Sequence, residues 1–176
     1  MVAKLCKEML PEPSAEQQAV IGAMHRGNNA IVDSVAGSGK TTTSLLLASQ
    51  LPDKRIVLIT YNRRLKEETR DRVDGQDITN LEVHSYHSMG LKYYKDPSFT
   101  DMDLRDILRQ KLRPRKALLA DIFIFDEAQD MTPIYFDFLK KILADNGKEA
   151  QLLLLGDHLQ CIYDFPQKGA DVRYLT

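Results

Sequence analysis

"DSVAGSGKTTTSLLLASQ", residues 33–50, sets two glycines and a lysine between a short apolar run, Ala30-Ile31-Val32, and a leucine-rich stretch with helical spacing. Glycines let backbone N–H groups converge on phosphate oxygens. A helix that starts directly afterwards aims the positive end of its dipole at the same point. Ala36, Gly37, Ser38, Gly39, Lys40, Thr41 and Thr42 therefore form a candidate phosphate cradle. In it Lys40 reaches the β- and γ-phosphates, and Thr41 offers its hydroxyl to Mg²⁺. The pattern asks for Gly, or in some families Ala, where Ser34 stands; serine is small and the departure is mild.

The elements around this loop set the expected fold. Ser14 with Gln17 reads as a capping box opening a helix whose buried face carries Val20, Ile21 and Met24. Residues 30–33, 55–60, 81–83, 121–125 and 151–155 read as strands. Between them lie a helix ending before Pro52, the charged helix RRLKEETRDRV closed by Asp74-Gly75, and a helix over 101–112. A further helix starts at Thr132-Pro133, with Tyr135, Phe138, Leu139, Ile142 and Leu143 at helical spacing and Asn146-Gly147 at its end. Apolar strands alternating with helices predict an α/β fold with a parallel sheet covered on both faces. In such sheets ligands bind at the carboxyl ends of the strands.

Composition narrows the classes. The apolar share is 43% and the charged share 28%, ordinary for a globular chain of 176 residues, which predicts one domain. The formal net charge of -1 excludes a chain that holds nucleic acid by overall charge, so any such contact needs a local patch. Such a patch exists in RQKLRPRK, residues 109–116, where Arg109, Lys111, Arg113, Arg115 and Lys116 suit either phosphate contact or a solvated helix end. Cys6 and Cys161 lie far apart without metal-type spacing and predict reduced thiols. MVAKLCKEML is broken by charges, and no apolar run reaches the ~20 residues of a membrane span, so a soluble, intracellular protein is expected.

Asp126-Glu127-Ala128-Gln129-Asp130 directly follows the fourth strand. An aspartate there can hold Mg²⁺, and a glutamate beside it can take a proton from an attacking water. That pairing favours hydrolysis over the transfer chemistry of small-molecule kinases. His84 and His87 are three apart, but no further cluster completes a metal site, and His87 reads better as a hydrogen-bonding residue.

"VAGSGKTT", "DEAQD" and "GDHLQCIYDF" together resemble the UvrD/Rep-like superfamily 1 DNA helicases over roughly residues 13–170. The resemblance implies a P-loop NTPase fold with a RecA-like sheet: one ATP-binding lobe over residues 1–176, with residues 96–118 a much reduced accessory insertion. It implies ATP and Mg²⁺ as cofactors and places Gln17 at the adenine-reading position, a role its amide cannot share with the capping box. It places Lys40, Glu127 and Gln160 at the transferring phosphate, Thr41 and Asp126 on the metal, and Tyr61, Asn62, Arg63, Ser85, His87, Ser88, Tyr163 and Phe165 along single-stranded DNA. Ser85 stands where threonine is usual, and Pro166-Gln167-Lys168-Gly169-Ala170 replaces the usual Arg-Gly-Ala.

Relatives carry a second RecA-like lobe with an arginine worth ~10³–10⁵ in rate. Only Arg173 remains after the GDHLQ motif, so an amino-terminal lobe with little activity of its own is expected, its partners being single-stranded DNA and a second lobe. The resemblance also implies 3′-to-5′ translocation. The alternatives are a nucleotide-dependent binding switch and a small-molecule kinase.

Overall fold

The computed structural model describes residues 10–35, 37–61 and 63–157. Five strands, β1 (Ala30–Asp33), β2 (Ile56–Thr60), β3 (Leu81–Ser85), β4 (Ile122–Phe125) and β5 (Gln151–Gly156), form one sheet in the order β1-β5-β4-β2-β3. Every neighbouring pair is parallel. All five carboxyl ends therefore reach one rim. Six helices complete the fold: α1 (Ala15–His25), α2 (Lys40–Gln50), α3 (Arg63–Gly75), α4 (Tyr86–Tyr93), α5 (Asp101–Arg109) and α6 (Pro133–Asp145).

The period of two along each strand divides the core. Val57, Ile59, Phe123, Phe125, Leu152 and Leu154 face one side, against Tyr86 and Met89 of α4, Leu104 and Ile107 of α5, and Phe138, Leu139 and Ile142 of α6. Ile56, Leu58, Ile122, Ile124, Leu153 and Leu155 face the other, against Ile21, Met24, Leu45, Leu46, Leu47 and Val73 from α1, α2 and α3. Each such side chain contributes about 1.5–3 kcal/mol on full burial. Because both faces are covered there, the central strands β2, β4 and β5 read as apolar rather than alternating.

The expected strands match to within two residues, and α1, α2, α3 and α6 lie where the pattern puts them. Thr132 holds the position before α6, but its hydroxyl makes no cap bond there. Two elements differ. Helix α4, unforeseen, starts at the capping box made by Ser85 and Ser88. Helix α5 stops at Arg109, short of residue 112. Its end is a Schellman turn: Lys111 N–H donates to Leu108 and Leu112 N–H to Ile107. Lys111 takes the left-handed conformation (φ 50), which glycine adopts at about 1 kcal/mol less cost. Leu104 and Ile107 are fully buried, so α5 belongs to the core of the lobe. Among the described residues no helix is long and apolar enough to cross a membrane.

A polar cluster joins β2, β3 and α4 away from the rim. The Glu82 carboxylate accepts from Arg55 at 2.9 Å, Lys92 at 2.5 Å and Tyr93 at 3.3 Å, and lies 3.3 Å from His84 Nε2. The hydrogen bond to His84 leads, and the Lys92 and Arg55 contacts add to it; together they overcome burial and hold Glu82 well below the usual carboxylate range. A depressed acid stabilises the fold above its unfolded pKa of about 4.3 and ceases to do so as pH falls. Glu82→Gln is therefore expected to cost about 2 kcal/mol at pH 7, with the difference from wild type shrinking below pH ~4, as measured by urea unfolding.

Candidate active site

The glycine loop leaves β1 at the rim and turns into α2. Gly37 (φ 78) and Gly39 (φ 88) hold conformations that side chains disfavour, and Gly39 is the residue from which α2 starts. Ser34 N–H donates to Gly156 O at 2.9 Å, tying the loop to the end of β5. Ser38 Oγ donates to Ser34 Oγ at 2.9 Å, so serine at this position supplies a hydrogen bond within the loop. Lys40, the first residue of α2, folds back over the loop: Nζ donates to Ser34 O at 3.4 Å and lies 3.7 Å from Glu127 Oε2. The Lys40 side chain is only 8% exposed, so this ion pair forms largely out of water.

β4 ends at Phe125, and Asp126 follows with 4% exposure. Its Oδ1 accepts from Glu127 N–H at 3.0 Å. Burial, and then the neighbouring Glu127 charge, push the Asp126 carboxyl up to about 6. Glu127 sits in the left-handed region (φ 55), at the start of the single 3-10 turn Ala128–Asp130. That local strain carries its carboxylate toward Lys40. A buried carboxyl lacking full compensation by positive charge, with the Thr41 hydroxyl in the first turn of α2, suits a divalent cation.

Gln129 is the residue sequence reading missed. Its Nε2 donates to Glu127 Oε2 at 2.6 Å, and its Oε1 accepts from Asp157 N–H at 3.0 Å. One amide thus fixes the candidate base and joins it to the chain leaving β5. The only signal was its place in the quoted DEAQD; the 3-10 turn that folds it back has no pattern of its own.

Gln17 does what the capping box requires and more. Its Oε1 accepts from Ser14 N–H at 2.9 Å, while Nε2 donates to Thr43 Oγ1 at 3.1 Å and contacts Gly39 O at 3.4 Å. The amide is fully engaged between α1 and the phosphate loop. Beside it a cavity of about 60 Å³ is lined by Gln17, Val20, Val32, Ser34 and Lys40 among others. That is below the ~300 Å³ of a typical ligand pocket, so a base binding here must open it. Thr42 accepts from Arg72 of α3 at 3.0 Å.

The residues expected along DNA that the structure describes divide by role. Tyr61 follows β2 and Ser85 ends β3, on the same rim. The Tyr61 ring meets Tyr135 edge-on at 5.9 Å, and Tyr135 stacks on Tyr86 at 4.3 Å. Ser85 is buried and spends its hydroxyl on the α4 cap, which Ser88 closes. His87 Nε2 lies 3.0 Å from Asp101 Oδ1, which also accepts from Tyr135. Arg63 pairs with Glu67 along the exposed face of α3. Ala36, Asn62, Gln160, Tyr163 and Phe165 lie outside the described residues, as do Cys6, Cys161 and Arg173.

A family model described as an AAA domain matches residues 16–166. The chain belongs to that family. Solved structures extend the likeness at the level of fold. The helicase domain of Hef from Pyrococcus furiosus aligns at TM-score 0.54 and 15% identity, over 82% of this chain and 32% of that one. A Pif1 helicase structure on DNA unwinding at forked dsDNA aligns at 0.51 and 17%, over 84% and 34%. The DUF1998 helicase MrfA, bound to DNA and AMPPNP, aligns at 0.54 and 14%, over 86% and 25%. This AAA domain chain thus has the RecA-like P-loop fold of helicase ATPase domains and spans about a third or less of those helicases' length. A search of curated proteins gives no match.

Asp126 supplies a pH test of this geometry. A raised acid stabilises the fold fully below its unfolded pKa of about 3.9, and that contribution is lost as pH rises through about 6. Without nucleotide, Asp126→Asn is expected to be more stable than wild type at pH 8 by on the order of 2 kcal/mol, and no more stable at pH 4, measured by denaturant unfolding across pH.

Proposed function

We propose that this chain is the ATP-binding and hydrolysing lobe of a DNA helicase that translocates on single-stranded DNA and needs a second RecA-like lobe for full activity. The observation that carries the reading is Lys40 facing Glu127 at 3.7 Å across the mouth of a glycine loop, with Asp126 beside them. A P-loop lysine and a carboxylate base within one phosphate's reach of each other are the two sides of a hydrolytic site.

The chemistry follows from the residues. A triphosphate entering the loop takes over Lys40, whose ammonium then neutralises the β- and γ-oxygens. Glu127, released from Lys40 but still held by Gln129, is free to accept the proton of a water attacking the terminal phosphoryl group. Thr41 and Asp126 would hold Mg²⁺, which supplies charge neutralisation between the phosphates when bound. Gln17 would read the base after exchanging its contacts with Gly39 and Thr43 for the nucleotide's own. Gln160 would sense the terminal phosphate.

Tyr61, Asn62, Arg63, Ser85, His87, Ser88, Tyr163 and Phe165 belong to the single-strand track in this reading. Half-buried Tyr61 and His87 stand over the buried rings of Tyr135 and Tyr86 at the rim end of β2 and β3, and would offer a strand of any sequence a stacking surface worth ~1–3 kcal/mol per base. The DNA named with Pif1 and MrfA supports a nucleic-acid partner. The 3′-to-5′ sense rests on the family resemblance.

An ATPase assay with and without single-stranded DNA tests the reading. Turnover by this lobe is expected to be slow, because the second lobe's arginine is worth ~10³–10⁵. Lys40→Ala removes nucleotide binding. Glu127→Gln keeps binding and lowers turnover ~10²-fold or more. Tyr61→Ala weakens only the response to DNA. Equal turnover in wild type and Glu127→Gln is the result that overturns the proposal, and a phosphorylated acceptor with no free phosphate points instead to a kinase.

A further inference from the structure

The rim opposite the glycine loop carries the run RQKLRPRK, and the active site makes no use of it. Between Asp106 and Asp121 the sequence has five basic residues and no acidic one. Arg109, Lys111, Arg113, Arg115 and Lys116 are all exposed. The structure fixes where they stand. Arg115 N–H donates to Tyr93 O at 2.7 Å, and its guanidinium to Leu91 O at 2.9 Å, so Arg115 closes the carboxyl end of α4. Leu112 packs on the core, and Leu118 bridges to Asn146 just before β4 begins. The run is thereby pinned at both ends, beside the amino ends of the strands, a full strand length from the candidate DNA residues.

Its cations are unequally engaged. Arg109 pairs with Asp106, which is shared with Lys95. Lys111, Arg113 and Lys116 make no ion pair among the described residues. Lys111 occupies the left-handed position of a Schellman turn, where glycine is the relaxed choice. Lysine at such a position costs stability that glycine would not. The run holds no aromatic residue, and Leu112 is turned inward, so it offers neither a stacking platform nor an apolar anchor. Charge alone, on an ordered loop, matches a phosphate backbone and carries no sequence preference.

We infer that Lys111, Arg113 and Lys116 form a second nucleic-acid contact that grips the backbone of duplex DNA, separate from the single-strand track on the opposite rim. The inference rests on the reading that the chain works on nucleic acid. Its test reads binding, not turnover.

Fluorescence anisotropy of labelled duplex DNA, titrated with the whole chain between about 50 and 200 mM salt, gives the number of phosphates neutralised from the slope of log K against log salt, about 0.9 per contact. The triple variant Lys111→Gly, Arg113→Gln, Lys116→Gln is expected to reduce the slope by about 2–3 and to bind tenfold or more weakly. Arg115 is left in place because it holds α4. Lys111→Gly alone is expected to raise the melting temperature while lowering the slope by about 1. DNA-stimulated ATP turnover on single strands is expected to be unchanged in the triple variant and reduced in Tyr61→Ala; absent turnover would defeat the motor reading while leaving the binding result intact. An unchanged slope, or no binding of duplex by wild type, overturns the inference. Loss of binding to poly-glutamate with DNA binding retained overturns it in favour of an acidic protein.

Discussion

An ammonium group with 8% of its side chain exposed cannot stand alone, and Lys40 lies against Glu127 and the Ser34 carbonyl, with Asp126 and Asp130 near enough to feel its charge. That constraint organises the carboxyl rim. The loop must bend through two left-handed glycines to bring Lys40 over itself, and Glu127 must take a strained left-handed conformation to reach it. Neither distortion is repaid by local structure. Both are maintained by the sheet, whose β1, β5 and β4 ends stand side by side and leave the two residues no wider separation. In the proposed reading a triphosphate would offer Lys40 more charge than one carboxylate, and its binding would release Glu127 from the lysine.

The same rim makes the site continuous. Gln17 on α1 contacts Gly39, Ser34 is bonded to Gly156 at the end of β5, and Gln129 joins Glu127 to Asp157 just beyond it. The loop is therefore linked to Glu127 by two routes, one through Lys40 and one through the β5 terminus. Parallel strands are what make this possible, because residues more than a hundred positions apart in the chain end in the same plane.

Much of this was legible. Long apolar strands and a Gly-Lys-Thr before a leucine run leave few folds open, and the glycine loop and Asp126-Glu127, quoted as two halves of a candidate site, come together at one rim. What escaped was short or doubly used. Helix α4 has eight residues with Gly90 inside it, and its cap is Ser85 with Ser88, where the familiar box ends in Glu or Gln. Ser85 and Ser88, read for their hydroxyls toward DNA, spend those hydroxyls on that cap. Gln17 was expected to choose between capping and base reading. In the structure its carbonyl caps and its amino group faces the loop, a division that residue type alone does not reveal. Gln129 escaped because its role depends on a single 3-10 turn. The end of α5 escaped because a lysine stands where glycine would have announced it.

Helices α4 and α5 give the lobe a mechanical axis. The first starts at the buried cap on Ser85 and ends under Arg115; the second starts beside His87 and Tyr135, through Asp101, and ends at Lys111. At 1.5 Å per residue each is about 12–14 Å long, roughly the length of the strands they cover. Gly90 of α4 lies against Leu104 of α5, and Met89 and Leu104 are both fully buried, so the two helices pack closely. The aromatic cluster at the carboxyl rim and the basic loop at the amino rim are thus opposite ends of one packed pair.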